Sequence, residues 1–320
     1  MIEFRQIAPL LSVGLFLFLV TANDALAASD FAVGKKARDG QDYLSAVRAF
    51  RAGIAKGDKQ SANALGEMYI LGLGVDKDPV TACQLFLKGA KRGDVLAQHN
   101  YGICAAKGKG GKPNPAEAVK WLNEAMKSGH KPALCALGQL YVAGGAVKKD
   151  PKLGFDLCLK GALAGEAKAA ARVGELYFAG VGTVKNMKEA YKWLKKAGDK
   201  QEPSAAYNLG LMHLNGDGVA KSVDKARRWL TVSALQRHRI AFEPVARLYR
   251  NRVIELLKNE QIDVRMTRWA IFFLNLARSI QTSPKQRSNY ATLIDQFSEL
   301  SPKARRLADQ DLSKWNASKP

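Results

Sequence analysis

Residues 203–235 read PSAAYNLGLMHLNGDGVAKSVDKARRWLTVSAL. The stretch divides into two helices. Ser204 to Leu214 carries apolar residues at helical spacing around Leu209 and Met212. Asn215-Gly216-Asp217-Gly218 ends that run, because glycine takes the left-handed backbone that closes a helix. A short basic loop leads to Ser222, whose hydroxyl suits the cap of a new helix. The second helix runs through Ala226, Trp229 and Leu230 to Ala234.

The same punctuation recurs along the chain at an interval of 36 residues. Asp42, Asp78, Asn114, Asp150, Asn186 and Ser222 share one phase, and each is a good helix N-cap. Pro79, Pro115 and Pro151 follow three of them, at a position whose N–H has no helical partner anyway. Gly72, Gly108, Gly144, Gly180 and Gly216 end the first helix of each unit; Gly57, Gly93, Gly129 and Gly165 end the second. Two rows of small residues run between these stops. One is Gly66, Gly102, Gly138, Gly174 and Gly210; the other is Ala46, Ala82, Ala118, Ala190 and Ala226, with Gly154 in the gap. Small residues in facing rows let paired helices approach closely. Trp121, Trp193 and Trp229 share a phase, as do Tyr69, Tyr141 and Tyr177, which predicts aromatic rows in the core. Repeated two-helix units predict an all-α protein, an α/α solenoid that extends by stacking each hairpin on its neighbours.

The residues that carry this pattern resemble the Sel-one-like repeat family, a relative of the tetratricopeptide repeats. They are Ala205 to Val219, with Lys221, Lys225, Ala226, Trp229 and Leu230 after them. Equivalent stretches stand at Ala64 to Val75 and Val173 to Gly182. The match covers residues 59–238 as five units, with Ala146 and Gly154 as departures in the third. It implies a right-handed superhelix and a non-enzymatic, exported bacterial protein that holds partner proteins together. Residues 28–58 read as a tetratricopeptide-like capping hairpin, with its turn at Gly40-Gln41-Asp42. Residues 239–320 lose the phase and read as a degenerate repeat and helical cap. Glu243–Leu257 and Val264–Ser279 are two amphipathic helices there, and Pro284 and Pro302 start two more.

Residues 1–27 stand apart. Ile7 to Thr21 is uncharged and apolar, and Ala25-Leu26-Ala27 is a small-x-small site, so the segment reads as a signal peptide cleaved before Ala28. The mature protein is then periplasmic or secreted. The chain has 320 residues, 47% of them hydrophobic, which excludes disorder by composition. Its net charge is +21. Export removes nucleic acid from the expected partners and leaves anionic glycans, lipid surfaces and acidic proteins. Lys77, Lys149, Lys185 and Lys221 share a phase in the loop before the second helix, with Lys112 one residue out of step. They form either a basic binding ridge or a solvated loop that tolerates lysine. Arg237 to Arg252 and Arg305-Arg306 add to the basic bias.

Four cysteines in an exported chain fit two disulfides. Cys83 and Cys104 flank the turn near Gly93-Asp94, and Cys135 and Cys158 flank the loop Gly144–Lys149. Antiparallel helices bring such pairs level, as a disulfide requires. The phases also fit buried thiols: Cys104 aligns with Met68, Leu140, Leu176 and Met212, and Cys158 with Phe86, Leu122, Leu194 and Leu230. His99, His130, His213 and His238 form no metal spacing, and no Cys-x-x-Cys occurs. His213 shares the phase of the tyrosine row and reads as packing. Lys107 to Lys112 lacks the order of a phosphate loop, and no nucleophile elbow is present. The reading is therefore a protein-binding scaffold without catalytic residue, cofactor or metal, acting as adaptor or regulator of an envelope process. Direct binding of an anionic envelope glycan, polymer or membrane surface is the alternative.

Overall fold

A computed structural model describes residues 29–145 and 147–318. The expected signal peptide lies outside them. The described residues form sixteen α-helices and one 3-10 turn, and no strand. They fall into two compact units that meet between Ala125 and Met126.

In the first unit α1 (Asp30–Asp39) pairs with α2 (Tyr43–Ala55), and α3 (Lys59–Leu71) with α4 (Pro79–Lys91). Then come α5 (Val95–Lys107) and α6 (Pro115–Lys127), whose last residues belong to the second unit. The second unit continues with α7 (Pro132–Ala143), α8 (Pro151–Leu163), α9 (Ala167–Ala179), α10 (Met187–Gly198), α11 (Pro203–Asn215) and α12 (Val223–Leu235). Four longer helices complete it: α13 (Phe242–Lys258), α14 (Val264–Ile280), α15 (Pro284–Leu300) and α16 (Pro302–Ala317). Within each unit, from α1 to α5 and from α7 to α16, each helix packs on the next in sequence, which is the order of an α-solenoid.

Capping explains where the second helices start. The side chains of Asp42, Asp78, Asp150, Asn186 and Ser222 each accept a backbone N–H in the first turn of the helix they precede. Asn114 does the same for Glu117 N–H at 3.1 Å.

The glycine row sets how close paired helices lie. A Cβ on Gly66, Gly174 or Gly210 would stand 2.6 Å from Phe86, Leu194 or Leu230 respectively, and on Gly102 2.7 Å from Leu122. The facing alanines Ala46, Ala82, Ala118, Ala190 and Ala226 are wholly buried. Gly154 takes the pattern further. Gly138 and Gly154 face each other backbone to backbone, and a Cβ on either would stand 2.6 Å from the other's carbonyl oxygen. The departure in the third repeat is thus a closer helix pair.

Stacking between neighbouring repeats uses a second set of glycines. Gly74 packs on Tyr43, Gly182 on Pro151 and Gly218 on Met187, each the first residue of the preceding hairpin's second helix. The aromatic rows differ from the sequence expectation. Trp121 is buried, but Trp193 and Trp229 are half-covered, with Lys196 and Lys195 ammonium groups over their rings at 5.0 and 5.7 Å. Small, aliphatic and phenylalanine side chains fill the repeat core, and Trp193 and Trp229 pack against it at the edge.

The C-terminal helices have a different core, rich in rings. Tyr249 and Trp269 both stack on Phe273, at 5.4 and 5.6 Å between centroids. Arg268 forms a two-pronged ion pair with Asp311, both bonds at 2.6 Å, which ties α14 to α16. Arg237 stacks on Trp315 at 4.0 Å and donates to the Trp315 carbonyl and to Ser318.

Candidate functional site

Each of the four sequence-selected lysines precedes a second helix, and each is exposed. Their stems have a local role. Lys77, Lys149, Lys185 and Lys221 lie beside Gly72, Gly144, Gly180 and Gly216, the glycines that end the first helices. A cation placed there meets the negative end of the helix dipole. Lys149, Lys185 and Lys221 belong to the second unit and Lys77 to the first.

The cysteines are buried and joined in two disulfides, Cys83–Cys104 and Cys135–Cys158. The two bonds do different work. Cys83–Cys104 links α4 to α5, hence one repeat to the next, whereas Cys135–Cys158 links α7 to α8 within one repeat.

His213 is buried, meets the Tyr191 ring edge-on at 5.8 Å and has its Nδ1 3.3 Å from the Ala220 carbonyl oxygen. His238 sits against Tyr207 at 5.7 Å. Burial holds the imidazoles of His130 and His238 below the ordinary histidine value. Among the described residues no three of His, Cys, Asp and Glu gather at metal-holding distance.

The feature that sequence reasoning missed lies on the first helices. In the first unit, Asn100 of α5 donates to Asn63 of α3 at 2.9 Å, and Asn63 donates to Glu67 at 3.0 Å. In the second, Asn208 of α11 donates to Glu175 of α9 at 3.3 Å, and Arg172 donates to Glu175 at 2.9 Å. Each is a polar rung between adjacent repeats, and an open cavity adjoins each rung.

The first-unit cavity, about 290 Å³, is bounded by Glu67, Asn100, Ile70, Ile103, Phe86 and Lys109. The second-unit cavity, about 160 Å³, is bounded by Glu175, Asn208, Phe178, Leu211, Leu194 and Asp217. Residue for residue the second set lies 108 positions after the first, which is three repeats. The two cavities are copies of one socket. A glutamate followed 33 positions later by an asparagine is the sequence signal that could have found both.

The Sel1 repeat family model matches residues 59–94, 95–130, 131–166, 167–201 and 203–238. This chain belongs to the Sel1 repeat family. Sel1 repeat proteins generally mediate protein–protein interactions, and the scaffold is generally non-catalytic. The crystal structure of a Sel1 repeat protein from Oxalobacter formigenes is similar, with a TM-score of 0.58 at 26% identity. That likeness covers 81% of this chain and 100% of the other. The crystal structure of c5321 from uropathogenic Escherichia coli, a protective antigen with an SLR fold, has a TM-score of 0.55 at 24% identity. It matches 87% of this chain, which spans 60% of that one, and the likeness is one of fold. No curated protein matches the chain. Among the described residues no helix is long and apolar enough to cross a membrane.

Proposed function

We propose that this Sel1 repeat protein is an exported, non-enzymatic scaffold that holds a protein partner in an envelope process. The observation that carries it is the repeated socket on the first helices, an open face on a family whose members bind proteins. Periplasmic or secreted location rests on the apolar segment Ile7–Thr21 and the small-residue site Ala25–Ala27. Two buried disulfides are compatible with that location, since such bonds persist outside the reducing cytoplasm. Residues 28–58 and 239–320 close the two ends of the array in this reading, as solenoid termini need a polar outer face.

The test is affinity capture from the cell envelope with residues 28–320 as bait, washed at low salt and then at about 0.5 M, where screening is short-ranged. A defined protein retained through both washes supports the scaffold. A second reading, binding of an anionic glycan or lipid surface, is supported by the exposure of Lys149, Lys185 and Lys221. Glycan or lipid that leaves with the salt, and with a triple lysine-to-glutamate reversal of these three, would favour it. Their packing beside the helix-ending glycines gives the lysines a structural reason to be there without any ligand.

A further inference from the structure

We infer that the socket between α9 and α11 takes one lysine or arginine side chain of a partner protein, an inference that rests on the scaffold reading above. The walls are apolar: Phe178 and Leu211 on the sides, Leu194 and Met212 deeper in. Phe178 is 38% exposed, a large ring left open on the protein's surface. The rim carries two carboxylates, Glu175 and Asp217, and Arg172 pairs with the first of them at 2.9 Å. Arg172 holds Glu175 from its own helix, and Asn208 donates to it from α11. Asp217 is held in place by its backbone N–H, which bonds to the Met212 carbonyl, and its carboxylate accepts from the neutral amide of Asn215 at 3.1 Å. An acidic rim over an apolar well suits a side chain with an aliphatic stem and a cationic tip. The cavity, about 160 Å³, has room for one such side chain.

The twin in the first unit shows what sets the charge. It has the same glutamate and asparagine, Glu67 and Asn100, but Lys109 stands where the second socket has Asp217. Lys109 and Glu67 cancel there, and Arg38 lies 3.5 Å from Glu67. Each glutamate has an arginine partner, Arg38 in the first socket and Arg172 in the second, so the sockets differ in sign through one loop residue, Lys109 against Asp217.

Two probes of nearly equal size and shape test this on the full chain: Nα-acetyl-lysine N-methylamide and Nα-acetyl-norleucine N-methylamide, titrated against the ¹³C-labelled Met212 methyl group. The lysine probe is expected to shift Met212 at a concentration roughly two- to fivefold lower than the norleucine probe, the scale of an exposed ion pair. Asp217→Asn is expected to abolish that preference with the melting temperature unchanged, since the residue lies in a loop. Equal or stronger response to norleucine, or no response of Met212 to either probe, would overturn the inference. A captured partner together with a silent Met212 would remove the socket and leave the scaffold standing. A responsive Met212 with no captured partner would do the reverse.

Discussion

Where Ala46, Ala82, Ala118, Ala190 and Ala226 pack, the third Sel1 repeat has Gly154, and a Cβ there would also stand 2.6 Å from Val142. Alanine is the better helix former by roughly 1 kcal/mol, so intrinsic propensity favours Gly154→Ala. The backbone contact with Gly138 opposes it and cannot be relieved by a rotamer change. Gly154→Ala is therefore expected to lower stability by about 1–3 kcal/mol, read by thermal melting. Two aspartates make a second comparison. Hydrogen bonds from the Thr81 hydroxyl and N–H hold Asp78 below the usual carboxylate value of 3.8. Its contribution is present above that value and is lost as pH falls through the lowered folded value. Burial pushes Asp94 up, the larger effect there, against the Ala97 N–H bond that lowers it. Its neutral form is the better folded one, so its contribution grows as pH falls through the raised value. Carboxyl NMR should find Asp94 titrating above 3.8 and Asp78 below it. Asp78→Ala is expected to lower the melting temperature, whereas Asp94→Asn keeps the cap and leaves it unchanged at neutral pH.

Between helices, the disulfides and the C-terminal contacts separate two kinds of tie. Cys83–Cys104 and Cys135–Cys158 close segments of 21 and 23 residues, each worth about 2–4 kcal/mol. Removing the first by Cys83→Ala with Cys104→Ala should loosen α4 from α5, and hydrogen exchange should rise at that junction and not between α7 and α8. Arg237 ties the C-terminal helices of the second unit. It stands at the phase of Gly57, Gly93, Gly129 and Gly165 and keeps their left-handed backbone, with φ of 63°. From that turn the guanidinium holds the last turn of α16. Arg237→Gly should relax the backbone yet expose the amides of α16 to faster exchange, with α9 to α12 unchanged. At this scale the sequence was readable where one residue type does one local job. A cap accepts its own helix's N–H and a helix-ending glycine turns its own chain, so Asp42 through Ser222 declare themselves. The tryptophan row misled because repeat spacing reports a shared environment, and the edge of a hairpin repeats as faithfully as its centre. Asn100 and Asn208 were silent because their partners Asn63 and Glu175 lie on the preceding repeat, so their roles exist only once two hairpins have stacked.

For the whole molecule, a net charge of +21 and five Sel1 repeats pull the functional reading in two directions. Charge favours any polyanion at long range, and the repeat favours a shaped face at short range. The two make contact at different residues. In the scaffold reading a protein partner would seat on the first helices, near Phe178 and Leu211, while a polymer held by charge alone would run along the exposed loops at Lys149, Lys185 and Lys221. Salt should divide them as well, since the loop contacts are exposed and the socket is walled by apolar side chains. The most direct measurement is photo-crosslinking in the cells that produce the protein, with a benzophenone amino acid placed at Phe178 in one sample and at Lys185 in another. The scaffold account expects one defined protein adduct from position 178. Adducts from position 185 alone, to glycan or lipid and with nothing from 178, would contradict it.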